Sequence, residues 1–181
     1  MSKTNLILAV LAAVQVIVLI VVRWTGGTTD IKSEVRGPLL SFDIEKVSRI
    51  EIDDGDDDRE IVLARSASGW VVASEEDYPA NATKIDQGTG ILDKLAKVVL
   101  HRPVLRKAEN QAPVKVADDA YARRIILKDA DGQELGRYFL AAGSSGRSAY
   151  LRRGGDDPVF ETQEISPWEL GTYPSAWFDT T

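Results

Sequence analysis

Hydrophobic positions follow three different spacings along this chain, and each predicts a different element. Residues 6–22 are uncharged over 17 positions. Wound as a helix, they span about 25 Å at about 1.5 Å per residue. That is the short end of what a hydrocarbon core of roughly 30 Å requires. Arg23 can snorkel and Trp24 can sit at the headgroup level, which closes the gap. The pattern predicts a single membrane-spanning anchor. A cleavable signal peptide would carry a shorter apolar run followed by small residues, and here Arg23 and Trp24 stand in their place. Gln15, Ala9 and Ala13 suit either a partner helix or an ordinary anchor. Basic residues lie on both sides of the run, so a short tail kept in the cytoplasm is the simplest orientation, with the long carboxyl part exported. The expected division is a cytoplasmic tail 1–5, an anchor 6–23, a linker 24–37 and a soluble domain 38–181.

Beyond the linker the spacing turns to period two. Val47, Ile50 and Ile52 are interleaved with Arg49, Glu51 and Asp53, the alternation of a half-buried strand. Residues 60–65 and 70–73 read as two further strands separated by a turn at 66–69, an antiparallel meander. The spacing then becomes helical. Ile85, Ile91, Leu92, Leu95, Val98 and Val99 share one helical face, so a helix over 91–100 is expected to cover the sheet. Thr83 and Asp86 resemble a capping box at its approach. Strands return at 102–107, 122–128, 134–140, 147–153 and 159–161. Asp129-Ala130-Asp131-Gly132 reads as a hairpin turn, and a last helical turn is expected near 163–170, with Pro167 at its start. The predicted fold class is α+β: an amino-terminal transmembrane helix, then a mainly antiparallel sheet of two β-meanders with one main packed helix.

Composition narrows the function. Without the anchor roughly 155 residues remain, about one domain, enough to bury a core without crosslinks. There is no Cys, which excludes disulfides and thiolate chemistry. Net charge is −6; setting aside Lys3 and Arg23 leaves 20 basic against 28 acidic residues. An acidic domain is a poor match for nucleic acid and for broad docking on anionic lipid. No cofactor is implied.

Candidate chemistry is sparse. Residues 53–58 hold five Asp around Gly55, either a cation loop or a solvated hairpin tip; the order lacks the alternation of a calcium-binding EF-hand loop. His101 is the single histidine, placed to complement a helix C-terminus rather than to serve a triad. The loop 143–147 is Gly-rich without a phosphate-loop ending. Arg124, Arg137, Arg147 and Arg152, with Arg123 and Arg153 beside them, come from three consecutive predicted strands. They are either a basic patch for an acidic ligand or a solvated face paired across strands. Alternation spreads them over both faces. Trp168 and Trp177, with Tyr173 and Phe178, either bind a partner or sugar or close the core. No catalytic set emerges, and no enzyme is expected.

The order of these segments is familiar. Ile50-Glu51-Ile52, the run 60–65, Gly69-Trp70-Val71-Val72, Tyr78-Pro79-Ala80-Asn81 and Ile91-Leu92 with Leu95 resemble a bacterial family, domain-of-unknown-function family 4340. Ile125 and Leu127, Asp131-Gly132, Leu135-Gly136, Tyr150 with Arg152, Val159-Phe160 and Trp177-Phe178-Asp179 continue the match across roughly 45–181. The stretch 116–120 departs from the family's Gly-Leu-Asp-Pro-like lead, and one copy of the domain fits where many members carry more. The resemblance implies a single-pass inner-membrane protein with an extracytoplasmic domain. It further implies an accessory or scaffold role beside an ABC-type, gliding-motility-like transport complex, hence a protein partner. It supplies no catalytic residues. An envelope glycan or acidic-solute binding module is the alternative.

Overall fold

The computed structural model describes residues 37–180, together with Gln15, which is helical and exposed. The chain divides into two units, Met1–Glu34 and Val35–Thr181. Apart from Gln15, the expected tail, anchor and linker up to residue 36 lie outside the described residues. Among the described residues no helix is long and apolar enough to cross a membrane. Gly37, assigned by sequence to the linker, already belongs to a strand: β1 (Gly37–Pro38) pairs antiparallel with β6 (Val99–Leu100).

The sheet is antiparallel and eight-stranded, as two joined meanders. One comprises β2 (Arg49–Asp54), β3 (Arg59–Ser66), β4 (Gly69–Val72) and β5 (Tyr78–Pro79). The other comprises β7 (Arg123–Lys128), β8 (Glu134–Ala142), β9 (Ala149–Arg153) and β10 (Phe160–Thr162). Their first strands pair with each other, giving the order β10-β9-β8-β7-β2-β3-β4-β5. The β2–β7 register sets Ile50 opposite Leu127 and Ile52 opposite Ile125. These four are fully buried on the inner face with Ile61, Leu63, Leu140 and Leu151. Each such side chain contributes about 1.5–3 kcal/mol relative to exposure. The opposite face of the same pair is ionic. Glu51 accepts from Lys128 Nζ at 2.7 Å and Arg49 Nε at 2.8 Å, and Asp53 accepts from Arg124 Nε at 2.6 Å. An acidic strand meets a basic one, so the alternation fixes which face is wet.

The helical segment is shorter than its apolar spacing predicts. It breaks into α1 (Ala82–Ile85) and α2 (Ile91–Lys97). Asn81, not Thr83, caps α1 by accepting from Thr83 N. Asp86 ends α1 and accepts from Trp70 Nε1 at 2.7 Å and Arg65 Nη2 at 2.8 Å, an anchoring role rather than a capping one. Gly88 takes a φ of +72° between the two helices, a backbone state open to glycine. α2 stops at Lys97 because Val98 turns extended to lead into β6. Ile85, Ile91, Leu92 and Leu95 nevertheless fill the inner face as expected.

Residues 102–107 form no continuous strand. A single bridge joins Leu105 to Val159. From there to Ala122 the chain lies over the outer face of the second meander. Val116 joins Phe139, Ala141 and Val159 in a second small core there.

Candidate functional site

Residues 167–169 form a single 3-10 turn, with Pro167 at its start. In this geometry residues three apart eclipse, and Pro167 and Leu170 are both buried, Leu170 in the main core. Trp168 is the side chain left outside, 76% exposed. Its backbone is fixed. Ser166 Oγ accepts from Trp168 N at 3.4 Å, and Glu169 Oε1 accepts from Ser166 N at 2.9 Å, a reciprocal cap. The other Glu169 oxygen pairs with Lys94 of α2. Arg123 Nε donates to Leu170 O at 3.2 Å. The turn that carries the exposed indole is therefore held on both sides.

A groove lies on either side of it. One, of about 340 Å³, runs along Thr83, Lys84, Thr89 and Ile91 to Trp177. The other, of about 470 Å³, has apolar walls of Pro113, Val114, Ala141, Tyr150 and Pro167, and a charged end of Asp54, Asp56, Asp57, Lys115 and Arg123.

That charged end explains the acidic run. It is not wholly the solvated tip or cation loop weighed from sequence. Asp54 is 4% exposed. Its Oδ1 accepts from Asp56 N at 3.0 Å and Asp57 N at 3.3 Å and pairs with Arg123 Nη1 at 2.8 Å. Lys115 pairs with Asp56 at 2.7 Å, and Arg59 pairs with Asp57. The same guanidinium lies 4.2 Å from the ring centroid of Tyr173, itself 57% exposed. Gly55 lets the turn close on its neighbour, since a Cβ there would collide with the Tyr121 carbonyl. Among the described residues no group of three or more His, Cys, Asp or Glu is placed to hold a metal.

The six residues proposed as a partner or ligand surface do not converge. Trp177 is 2% exposed; its Nε1 donates to Gly171 O at 2.7 Å, so it closes the core. Arg152 is 1% exposed because residues 116–121 cover its part of the sheet. Its Nε donates to Val116 O, Nη2 lies 3.1 Å from the Asp118 carboxylate, and the guanidinium stacks on Phe139 at 4.3 Å. Neither belongs to a surface. Arg124 is taken by Asp53, and Arg137 by Glu134 at 2.7 Å. Arg147 is exposed in the β8–β9 turn. Of the six, Trp177 lines the smaller groove from within the core, and Trp168 borders both grooves. Sequence reasoning missed Pro113, Val114, Lys115 and Tyr150 as its neighbours, because 101–122 carries no periodic pattern to show where it lies.

Two carboxylates and one phenol titrate away from their ordinary values. Glu161 is held low by hydrogen bonds from Ser144 and Ser148, which tie the β8–β9 turn beside the larger groove. Burial pushes Glu51 up, but Lys128 and Arg49 together hold it below the usual carboxylate value. Burial pushes Tyr138 up to about 12.

No curated protein and no solved structure matches this chain. The profile of one family, described as Domain of unknown function (DUF4340), matches residues 70–181. β2 and β3 precede that stretch, yet they fill the gap between β4 and β7 in the sheet. The folded unit therefore reaches upstream of the match, at least to β1. With more than half of its residues inside that match, including α2, the second meander and both carboxyl-terminal tryptophans, the chain belongs to the DUF4340 family.

Proposed function

We propose that this chain is a non-enzymatic accessory protein, anchored in the inner membrane by residues 6–22, whose extracytoplasmic domain docks a protein partner at the Trp168 ridge. The observation that carries the docking surface is a tryptophan 76% exposed on a turn tied down on both sides. A turn already held in place loses little backbone freedom on binding, and exposed tryptophans are enriched among the residues that dominate protein interfaces. The flanking grooves would receive the partner's side chains. On the family resemblance, the partner is the permease of an ABC-type envelope transport complex.

The test is purification of the full chain from membranes in mild detergent. A transporter permease should accompany the native chain and be lost from Trp168→Ala, whose stability should be native. Isolation without a membrane partner, or an undiminished complex with Trp168→Ala, would sink the proposal.

A second reading follows from the polar end of the larger groove beside an exposed indole face. This arrangement suits a sugar stacked on Trp168 with hydroxyls bonded to Asp56, Asp57 and Lys115. Quenching of tryptophan fluorescence by envelope oligosaccharides, absent in Trp168→Ala, would favour that reading over a protein partner.

A further inference from the structure

We propose that residues 107–122 are a strap that lifts from the outer face of the second meander as one unit, held down by the pairing of Arg152 with Asp118. A partner docked at Trp168 keeps it down, a consequence that rests on the docking reading above. The backbone of the strap is self-contained. Val114 N and Val116 N donate to Gln111 O, Lys115 N to Ala112 O, Ala117 N to Ala120 O and Ala122 N to Lys115 O. Among the described residues, the backbone hydrogen bonds of 107–121 all close within 107–122. The rest of the domain is met at the two ends, where Leu105 exchanges bonds with Val159 and Gly55 N donates to Ala122 O at 3.2 Å. Lifting the middle therefore breaks no backbone bond to the sheet, the condition for a local opening short of global unfolding.

Side chains hold the middle down. Gln111 Nε2 donates to Asp157 O at 2.9 Å, and Val116 enters the small core with Phe139, Ala141 and Val159. Lys115 meets Asp56, but both side chains are largely exposed, and such pairs contribute little. Arg152 is the decisive group. The strap buries it to 1% exposure, and a cation taken out of water needs close compensation. It donates to two carbonyls, Val116 O and Asp156 O, and stacks on Phe139. Among the described residues the one carboxylate paired with it is Asp118, which belongs to the strap and is itself 65% exposed. Nη2 makes no hydrogen bond there despite the close approach. With the strap lifted, water solvates both ions. The closed state thus depends on an exposed aspartate to match a buried arginine, and the balance between the two states is narrow.

The strap also makes the larger groove. Pro113, Val114 and Lys115 line it together with Pro167 and Trp168, so the groove exists only while the strap is down. A partner seated in it binds the closed state and, by linkage, shifts the strap toward that state.

The native chain has no Cys, so the labelling rate of one introduced thiol reports opening at its position. Val116→Cys places the thiol on the buried side of the strap and Val72→Cys in the main core; both valines are fully buried. With dilute reagent the rate tracks the open population. In the full chain in mild detergent, the thiol at 116 should react at least about tenfold faster than the thiol at 72, which waits for global unfolding. Asp118→Asn should speed position 116 by about a further tenfold, as for directly coupled pairs, and leave position 72 unchanged. Arg152→Met should abolish that response, because the cation that Asp118 balances is gone. Equal rates at 116 and 72, or an unchanged rate at 116 with Asp118→Asn, overturns the strap. Should Arg152→Met fail to fold, the response to Asp118→Asn alone decides. In the complex with a co-purified permease, the thiol at 116 should react more slowly than in the free chain; an unchanged rate overturns the coupling to docking. If no permease accompanies the native chain, the docking reading fails, and the rates in the free chain still decide the strap.

Discussion

Trp168 lies within one proline-started 3-10 turn and Trp177 directly follows the next, yet one is 76% exposed and the other 2%. The difference is position within the turn. Trp168 sits inside its turn and is exposed, while Leu170 just after it is buried in the main core. Trp177 follows the turn 174–176 and swings back to the inner face, its indole N–H satisfied by Gly171 O. Burial of the second fixes the scaffold from which the first projects. Two tryptophans nine positions apart can thus divide into a core plug and an exposed ridge, and the local turn decides which is which.

The contrast predicts opposite mutant behaviour. Trp177→Ala should cost about 3–5 kcal/mol of stability, the range for a large buried aromatic, read from urea unfolding. Trp168→Ala should stay within about 0.5 kcal/mol of the native chain while removing partner capture. Equal stability losses would erase the distinction. Next in size is Asp54→Ala. It leaves Arg123 without its carboxylate and frees two turn amides. Loss of one partner from a buried pair costs about 3 kcal/mol. Because Arg123 also holds Leu170 O, the same change should weaken capture at Trp168, which a purely local effect on the acidic turn would not do.

Smaller still is the cap. Ser166→Ala should cost about 1 kcal/mol, as for other N-cap removals. The informative readout is partner affinity against stability. A ridge that binds because it is fixed loses affinity by more than an exposed indole on a loose turn would. An unchanged affinity at reduced stability would mean that rigidity of the turn is irrelevant to docking.

Much of this arrangement was legible in sequence where one periodicity holds. The alternation through β2 placed Ile50 and Ile52 inward, and the turn at Asp129–Gly132 joined β7 to β8 as expected, with Asp129 Oδ1 accepting from Asp131 N and Gln133 N. The two meanders also followed from local pattern, but the pairing of β2 with β7 did not, because its partners lie 69 to 79 residues apart. Arg152 was misplaced for a related reason. An arginine at an outward strand position reads as exposed until something covers the sheet, and the covering segment 101–122 has no period to announce it. Trp168 was recognisable as a candidate, but its separation from Trp177 rests on a three-residue turn whose facing depends on which of its residues are buried.

The smallest effect concerns pH and the wall beside Trp168. Glu161 accepts from Ser144 N at 2.9 Å and from the hydroxyls of Ser144 and Ser148, and these bonds hold its pKa below the ordinary 4.5. A carboxylate with a lowered folded pKa adds stability that is fully present above its unfolded value. That stability is lost as pH falls through the folded one, because the unfolded chain binds the proton first. Glu161→Gln should therefore be less stable than the native chain at neutral pH, by a gap that closes on acidification below pH 4.5. The β8–β9 turn it holds connects Ala142 to Ala149, beside Ala141 and Tyr150 of the larger groove. Acidification should accordingly shift the indole resonance of Trp168, which borders that groove, before that of Trp177, which is 2% exposed in the core. Simultaneous movement of both resonances would mean that the groove and the core respond to acid as one cooperative unit, and the division between ridge and plug would hold for exposure but not for dynamics.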